Sequence, residues 1–151
     1  MPRPQESAVM AQWLMKTEPD DYSWDRLMAE GQTEWTGVRN HQAAGNMRAM
    51  KRGERVFFYR SQVEPAIVGV MEVSAEAYPE PEDGSGKFVR VKVKPVRAVK
   101  KEVSLKEIKG DPRFADFLLV RHSRLSVVPV SDEHWRSLCE MAGIREGGSE
   151  G

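Results

Sequence analysis

Cysteine is almost missing: Cys139 is the only one in 151 residues. A single thiol excludes an intrachain disulfide and a thiolate zinc site, and it suits a reducing compartment, the cytoplasm. An excess of one charge is missing too, with 23 Lys and Arg against 23 Asp and Glu. The chain as a whole is therefore not pulled onto nucleic acid or a membrane, and any such attraction must come from a local patch. Residues 87–101 form one, with seven basic side chains and no acidic one, while acidic residues gather at 18–34 and 72–83. No apolar run is long enough to cross a bilayer, and the opening MPRPQESAVMAQ has no apolar core of signal-peptide length.

Several reaction motifs are also missing. GSGK at 84–87 has Pro81 and Phe88 where a phosphate-binding loop requires Gly and Ser or Thr, so it reads as a hairpin turn. Neither G-x-G-x-x-G nor the nucleophile elbow G-x-S-x-G occurs. His41, His122 and His134 are isolated from one another and from Cys139, so no metal spacing exists and neither a metal nor a cofactor is expected. His134, in the first turn of a helix, reads as solvated. A hydrolase or nuclease built in three dimensions from Glu18, His41 or His122 stays open, because catalytic residues need not be close in sequence.

What is present fits one domain with an ordinary core. Residues 1–11 read as a loose leader, 12–143 as the domain and 144–151 as a disordered tail. QWLMKT (12–17) is a strand stopped by Glu18-Pro19. Ser23 caps a helix with Trp24, Leu27 and Met28 on one face and Gly31 as its stop. RVFFYR (55–60) and AIVGVMEV (66–73) form a buried hairpin. KFVRVKVK alternates Val89, Val91 and Val93 with Arg90, Lys92 and Lys94 until Pro95 breaks the phase as a bulge or an edge. A short helix over 104–108, a turn begun by Pro112 and a strand in RLSVVPV follow. Last comes a helix capped by Ser131, with Trp135, Leu138, Cys139 and Ala142 in one stripe. Five or six strands and three or four short helices, in no β-α-β repeat, predict an α+β fold: a bent or closed, mostly antiparallel sheet edged by helices.

EWTGVRNHQAAGNM (34–47) shows no apolar run at strand or helix spacing. It reads as a long ordered loop, and such loops are disproportionately functional. Other polar groups sit at strand ends: Lys16, Thr17 and Glu18 after the first strand, Tyr59, Arg60 and Ser61 after the next, and Arg121, Ser123 and Arg124 before the last. Plainer readings stand beside the functional one. Trp35 suits a core position, and Arg39 suits a carboxylate partner that braces the loop. Arg90, Lys92 and Lys94 suit a solvated strand face. Trp13, Trp24 and Trp135 read as core.

WLMKTEP, WTGVRNHQAAGN, FFYRS, IVGVMEV, AYPEP and LVRHSRLSVVPV, in this order and from Trp13 to about Met141, closely resemble the EVE domain family. Thr17 stands where Ser is frequent in that family, and His41 where Tyr is frequent. The resemblance implies a PUA-like fold, a bent antiparallel β-barrel edged by helices, related to YTH domains that hold a modified adenine in an aromatic cage. It also implies a non-enzymatic domain that reads a modified base, a modified cytosine above all, in DNA or RNA. Trp35 would be the ring against which a flipped base packs. Lys16, Thr17, Glu18, Arg39, Asn40, Tyr59 and Ser61 would surround it, and Arg60, Arg121, Ser123 and Arg124 would meet flanking phosphates. A pocket for a free nucleoside-like metabolite and an enzyme acting on a base or nucleotide are the alternatives.

Overall fold

The computed structural model describes residues 11–81 and 84–145. Residues 1–10 of the expected leader, 146–151 of the expected tail, and 82 and 83 in the acidic run lie outside the described residues. The elements in chain order are β1 (Gln12–Thr17), α1 (Trp24–Glu30), β2 (Thr33–Trp35), α2 (His41–Ala49), β3 (Arg55–Arg60) and β4 (Ala66–Pro79). They continue with β5 (Val89–Ser104), α3 (Leu105–Lys109), a 3-10 turn (Pro112–Phe114), α4 (Leu118–Arg121), β6 (Val127–Val130) and α5 (Asp132–Ala142).

All six strands share one sheet in the order β2-β5-β4-β3-β1-β6. The α+β class, six strands and marginal helices are as the sequence predicts. Among the described residues the ladder does not close, and one neighbouring pair, β1 with β3, is parallel. The other pairings are antiparallel. Repeated register shifts between the long strands β4 and β5 add unpaired residues, which lets a sheet curve. One of them falls at Pro95, which cannot donate to a ladder.

Burial follows position in the sheet. Trp13, Leu14 and Met15 of β1 and Val56 to Tyr59 of β3 are buried in unbroken runs, because helices cover both faces of the central strands. In β5 the buried residues are Val89, Val91 and Val93 in its first half and Val103 near its end, and the basic residues among the first three reach water or acidic partners. α5 brings in Trp135, Leu138, Cys139 and Ala142, and the Trp135 ring stacks on Phe57 at 3.9 Å between centroids. Ser131 Oγ accepts the His134 amide, and Gly143, at φ 73°, takes the left-handed conformation that closes the helix. The buried Glu54 carboxylate accepts from Trp13 Nε1 at 2.7 Å, the Lys51 amide at 2.9 Å and the Ala11 amide at 3.1 Å. It ties the start of β1 to the turn before β3. Among the described residues no helix is long and apolar enough to cross a membrane.

Two expectations are corrected. The stretch 34–47 is not a loop throughout: Glu34 and Trp35 belong to β2, and α2 begins at His41. Its buried residues are Ala43, Ala44 and Met47, and alanines give only a faint apolar period, so the helix was hidden. His134 is not solvated. Its ring lies 5.2 Å from Phe114 and 5.0 Å from Phe117, with Nε2 3.0 Å from the Arg113 carbonyl, because the 3-10 turn folds over the start of α5.

Gly69 in β4 leaves room for the ring of Trp24, which meets Phe58 edge-on at 5.3 Å. A Cβ at Gly69 would stand 2.5 Å from that ring. Gly69→Ala should therefore cost about 1–3 kcal/mol as an overpacked core site. Urea unfolding should show a lower midpoint at unchanged slope; an unshifted midpoint would mean that Trp24 is free to move aside.

Candidate functional site

Parallel pairing sets Lys16 beside Tyr59 and Thr17 beside Arg60, so both strands end on the same side of the sheet. The Ser61 amide carries the ladder one step on, donating to the Thr17 carbonyl at 2.9 Å. Beyond these ends lies a cavity of about 820 Å³, within the usual range of ligand pockets. Thr33, Glu34 and Trp35 of β2 and residues 36–39 form a second wall. Ser123, Arg124 and Ser126 form a third, fixed by the bond from the Lys16 amide to the Ser126 carbonyl at 3.0 Å. Pro65 and Leu105 also line it.

The side chains in it differ in what they can offer. Lys16 is half-buried; its Nζ donates to the Ser123 carbonyl at 2.8 Å and lies 5.9 Å from the Tyr59 ring centroid. Burial pushes the Lys16 pKa down. The Tyr59 hydroxyl is pushed up to about 12 by its burial, so it stays a neutral phenol at physiological pH. Trp35 is 8% exposed, with the rings of Phe58 at 5.9 Å and Tyr22 at 6.4 Å set edge-on to it. It is a core tryptophan and a wall of the cavity at once. Glu18 is exposed at the rim, where its carbonyl accepts the Asp21 and Tyr22 amides and turns the chain into α1.

Arg39 lines the cavity through a braced loop. Its guanidinium makes a two-pronged contact with Glu80, at 2.9 and 3.2 Å, and the same carboxylate accepts the Gly37 amide at 3.1 Å. Glu80 is buried. The hydrogen bonds from Arg39 hold its pKa below the ordinary 4.5, and the Gly37 amide adds to this, although burial works the other way.

Three residues expected at the ligand are occupied or placed elsewhere. Asn40 Oδ1 accepts the Ala43 amide at 2.8 Å as the N-cap of α2, and Asn40 lies outside the lining. Arg60 grips Glu102 at 2.8 and 3.1 Å and donates to the Val63 and Glu64 carbonyls. It holds a turn in which Gln62 and Glu64 take positive φ of 75° and 46°. Arg121 is exposed at the end of α4, also outside the lining. Lys16, Thr17, Glu18, Trp35, Arg39, Tyr59, Ser61, Ser123 and Arg124 do line the cavity.

Asp21, Tyr22, Glu34 and Gln62 line it as well and were missed. Glu34 was within reach of sequence reading, since a strand over 33–35 puts it next to Trp35. Gln62 and Tyr22 arrive through turns that leave no pattern. Glu34 is taken by Arg90 at 2.7 Å. Among the described residues Arg124 on one lip, and Glu18 and Asp21 on the other, have no ion pair.

The EVE domain family model matches residues 11–141. Human thymocyte nuclear protein 1 is 33% identical over 162 residues, covering 84% of this chain and 72% of that protein. The crystal structure of human THYN1 protein in complex with 5-methylcytosine-containing DNA matches with a TM-score of 0.82 at 32% identity, over 90% of this chain and 99% of that one. Rpa0253 from Rhodopseudomonas palustris matches at 0.85 with 47% identity, over 93% of this chain and 99% of that one. A YTH domain from Zygosaccharomyces rouxii, at 0.55 and 12% identity over 88% of this chain and 86% of that one, shares the fold.

Because the Glu80 pKa is depressed on folding, its contribution is present above the ordinary 4.5 and is lost as pH falls through the folded value. Protection of the Gly37 amide, the intrinsic exchange rate at each pH relative to the observed one, should fall on acidification through the folded Glu80 value. Glu80→Gln should exchange fast at neutral pH and lose that acid step; an unaltered Gly37 rate in the variant would show that Glu80 does not hold the loop.

Proposed function

The chain belongs to the EVE domain family, and from that premise we propose that it is a non-enzymatic binding domain for a modified nucleobase. The base, a modified cytosine first of all, is flipped from a DNA or RNA strand into the cavity between β1, β2 and β3. The observation that carries the reading is the convergence of Lys16, Thr17, Trp35, Tyr59 and Ser61 on one cavity. The likeness to a relative solved with 5-methylcytosine-containing DNA supports it.

Each residue has a part suited to its chemistry. Thr17 and Ser61 hydroxyls and the neutral Tyr59 phenol serve ring nitrogens and the carbonyl, and the Glu18 carboxylate accepts from an exocyclic amine. The Lys16 ammonium donates to a base oxygen. Val38, Pro65 and Leu105 supply apolar lining for an added methyl, and filling such a slot is worth about 1–3 kcal/mol. Base-on-aromatic stacking is worth about 1–3 kcal/mol, and Trp35, with little of its ring exposed, supplies the low end. Unstacking costs a few kcal/mol in a duplex and least in a single strand, so single strands are the better ligands. Arg124, with Arg121 beyond the lining, meets the flanking phosphates, and Ser123 supports that lip.

The neutral charge balance also favours a second reading, a free nucleoside-like ligand in the same cavity. Salt separates the two. Two phosphate contacts on a single strand give a slope of about −1.4 in log affinity against log salt, about −0.7 from each contact, whereas a free nucleoside gives none.

Short single strands carrying cytosine, 5-methylcytosine, 5-hydroxymethylcytosine or N6-methyladenine, and the free nucleosides, should be titrated at several salt concentrations. One modified base should bind about tenfold more tightly than its parent, and Ser61→Ala should weaken it. Trp35→Phe is the informative aromatic variant, because Trp35→Ala would cost about 3–5 kcal/mol of stability. Equal affinity for all strands, or none, would end the base-reader reading. Preference without salt dependence would favour the free nucleoside.

A further inference from the structure

A second aromatic surface lies at the rim of the cavity. His41, the first residue of α2, is exposed, and its imidazole stacks on the half-buried Phe88 with centroids 5.3 Å apart and planes 20° from parallel. The Arg39 guanidinium sits 5.0 Å from the same Phe88 centroid. Arg39 also lines the cavity, so the group of three begins where the cavity ends. Arg48, one turn-pair further along α2, donates through Nη2 to the Lys87 carbonyl, and both side chains are exposed. Among the described residues Arg39, Arg48 and Lys87 are the cations on the segments that carry this surface, and Glu80, already bonded to Arg39, is an acid at its base.

The core does not explain the arrangement, because His41 and Phe88 are absent from the buried cluster. An exposed ring lying parallel on a second, fixed ring has one face turned to water. Such a face accepts any base, since every base has a π surface. The Glu80 brace also holds Arg39 against Phe88, which fixes the surface relative to the cavity.

We infer that His41 and Phe88, flanked by Arg39, form a stacking platform for the nucleotide next to the one whose base occupies the cavity, in the same strand. This rests on the base-reader reading above. When one base leaves the stack its neighbour loses a partner, and the imidazole face replaces that partner. Arg48 and Lys87 then lie beside the phosphate that follows. The platform is indifferent to which base it holds, because it makes no edge contacts, so it adds affinity for polymer over free nucleoside without adding sequence preference.

The test uses the full chain and single strands with one modified base, in which the neighbour on the 5′ or the 3′ side is replaced by an abasic residue. On one side this replacement should weaken wild-type binding by about tenfold, within the roughly 5- to 150-fold that one stacked base is worth. In His41→Ala the same replacement should cost less than about twofold, while affinity for the free modified nucleoside stays at the wild-type value. His41→Phe should restore the sensitivity. Equal abasic sensitivity in wild type and His41→Ala would overturn the platform, as would an equal loss for the free nucleoside, which would make His41 a support of the cavity. Wild-type preference for the modified base with no abasic effect on either side would overturn the platform alone. Absence of any preference for a modified base would remove the base-reader reading and the platform with it.

Discussion

Two strands that run side by side in the same direction finish on the same edge of a sheet, and the cavity of this protein depends on that. β1 and β3 are parallel, so Lys16 and Thr17 arrive beside Tyr59, Arg60 and Ser61 at a common edge. Were the pair antiparallel, one of the two groups would lie at the far end of the sheet. A parallel pair requires a long crossover, and the chain between Thr17 and Arg55 supplies it with α1, β2 and α2. That crossover also delivers Trp35 and the Gly37–Arg39 segment to the cavity, so scaffold and site are one construction.

Fixing the walls uses polar groups of the kind that meet ligands elsewhere. Arg60 and Asn40 hold a turn and a helix start, and Arg39 holds its own loop through Glu80. Each is an ion pair or a cap, the kind of contact that keeps a backbone still at a site needing accurate geometry. Trp35 shows the same economy. Ring contacts with Phe58 and Tyr22 anchor it in the core, and what remains exposed faces the cavity. On the proposed reading, binding and stability are therefore coupled at Trp35, and a drastic substitution there reports on both.

The absence of net charge gains a structural meaning. Of the basic side chains that line the cavity Arg39 is paired, with Glu80, and two more close by are paired too, Arg60 with Glu102 and Arg90 with Glu34, while among the described residues Lys16 has no ion pair. Arg124 is left at one lip and Glu18 and Asp21 at the other. On the proposed reading, a surface so balanced relies on the contents of the cavity and on stacking at His41 and Phe88 more than on phosphate attraction. Selectivity for a chemical mark in a strand is better served by that balance than by a strongly basic face, which would hold all strands alike.

Local patterns in the sequence were enough for β1, α1, β3, the Val89–Val93 alternation, α3 and α5, because each carries its own period and its own cap or stop. They also drew notice to the polar strand ends, of which Lys16, Thr17, Glu18, Tyr59 and Ser61 line the cavity while Arg60 does not. Ala43 and Ala44 were too weakly apolar to reveal α2, and three residues were too few to reveal β2. What only tertiary structure decided was pairing and allegiance: that β1 lies parallel to β3, that Arg39 belongs to Glu80 and Arg60 to Glu102, and that His41 rests on Phe88. Those choices join residues 41 to 47 positions apart, and they depend on how the sheet curves and which elements cover it. Periodicity records only what a residue does relative to its near neighbours, so such distant partnerships leave no trace in it.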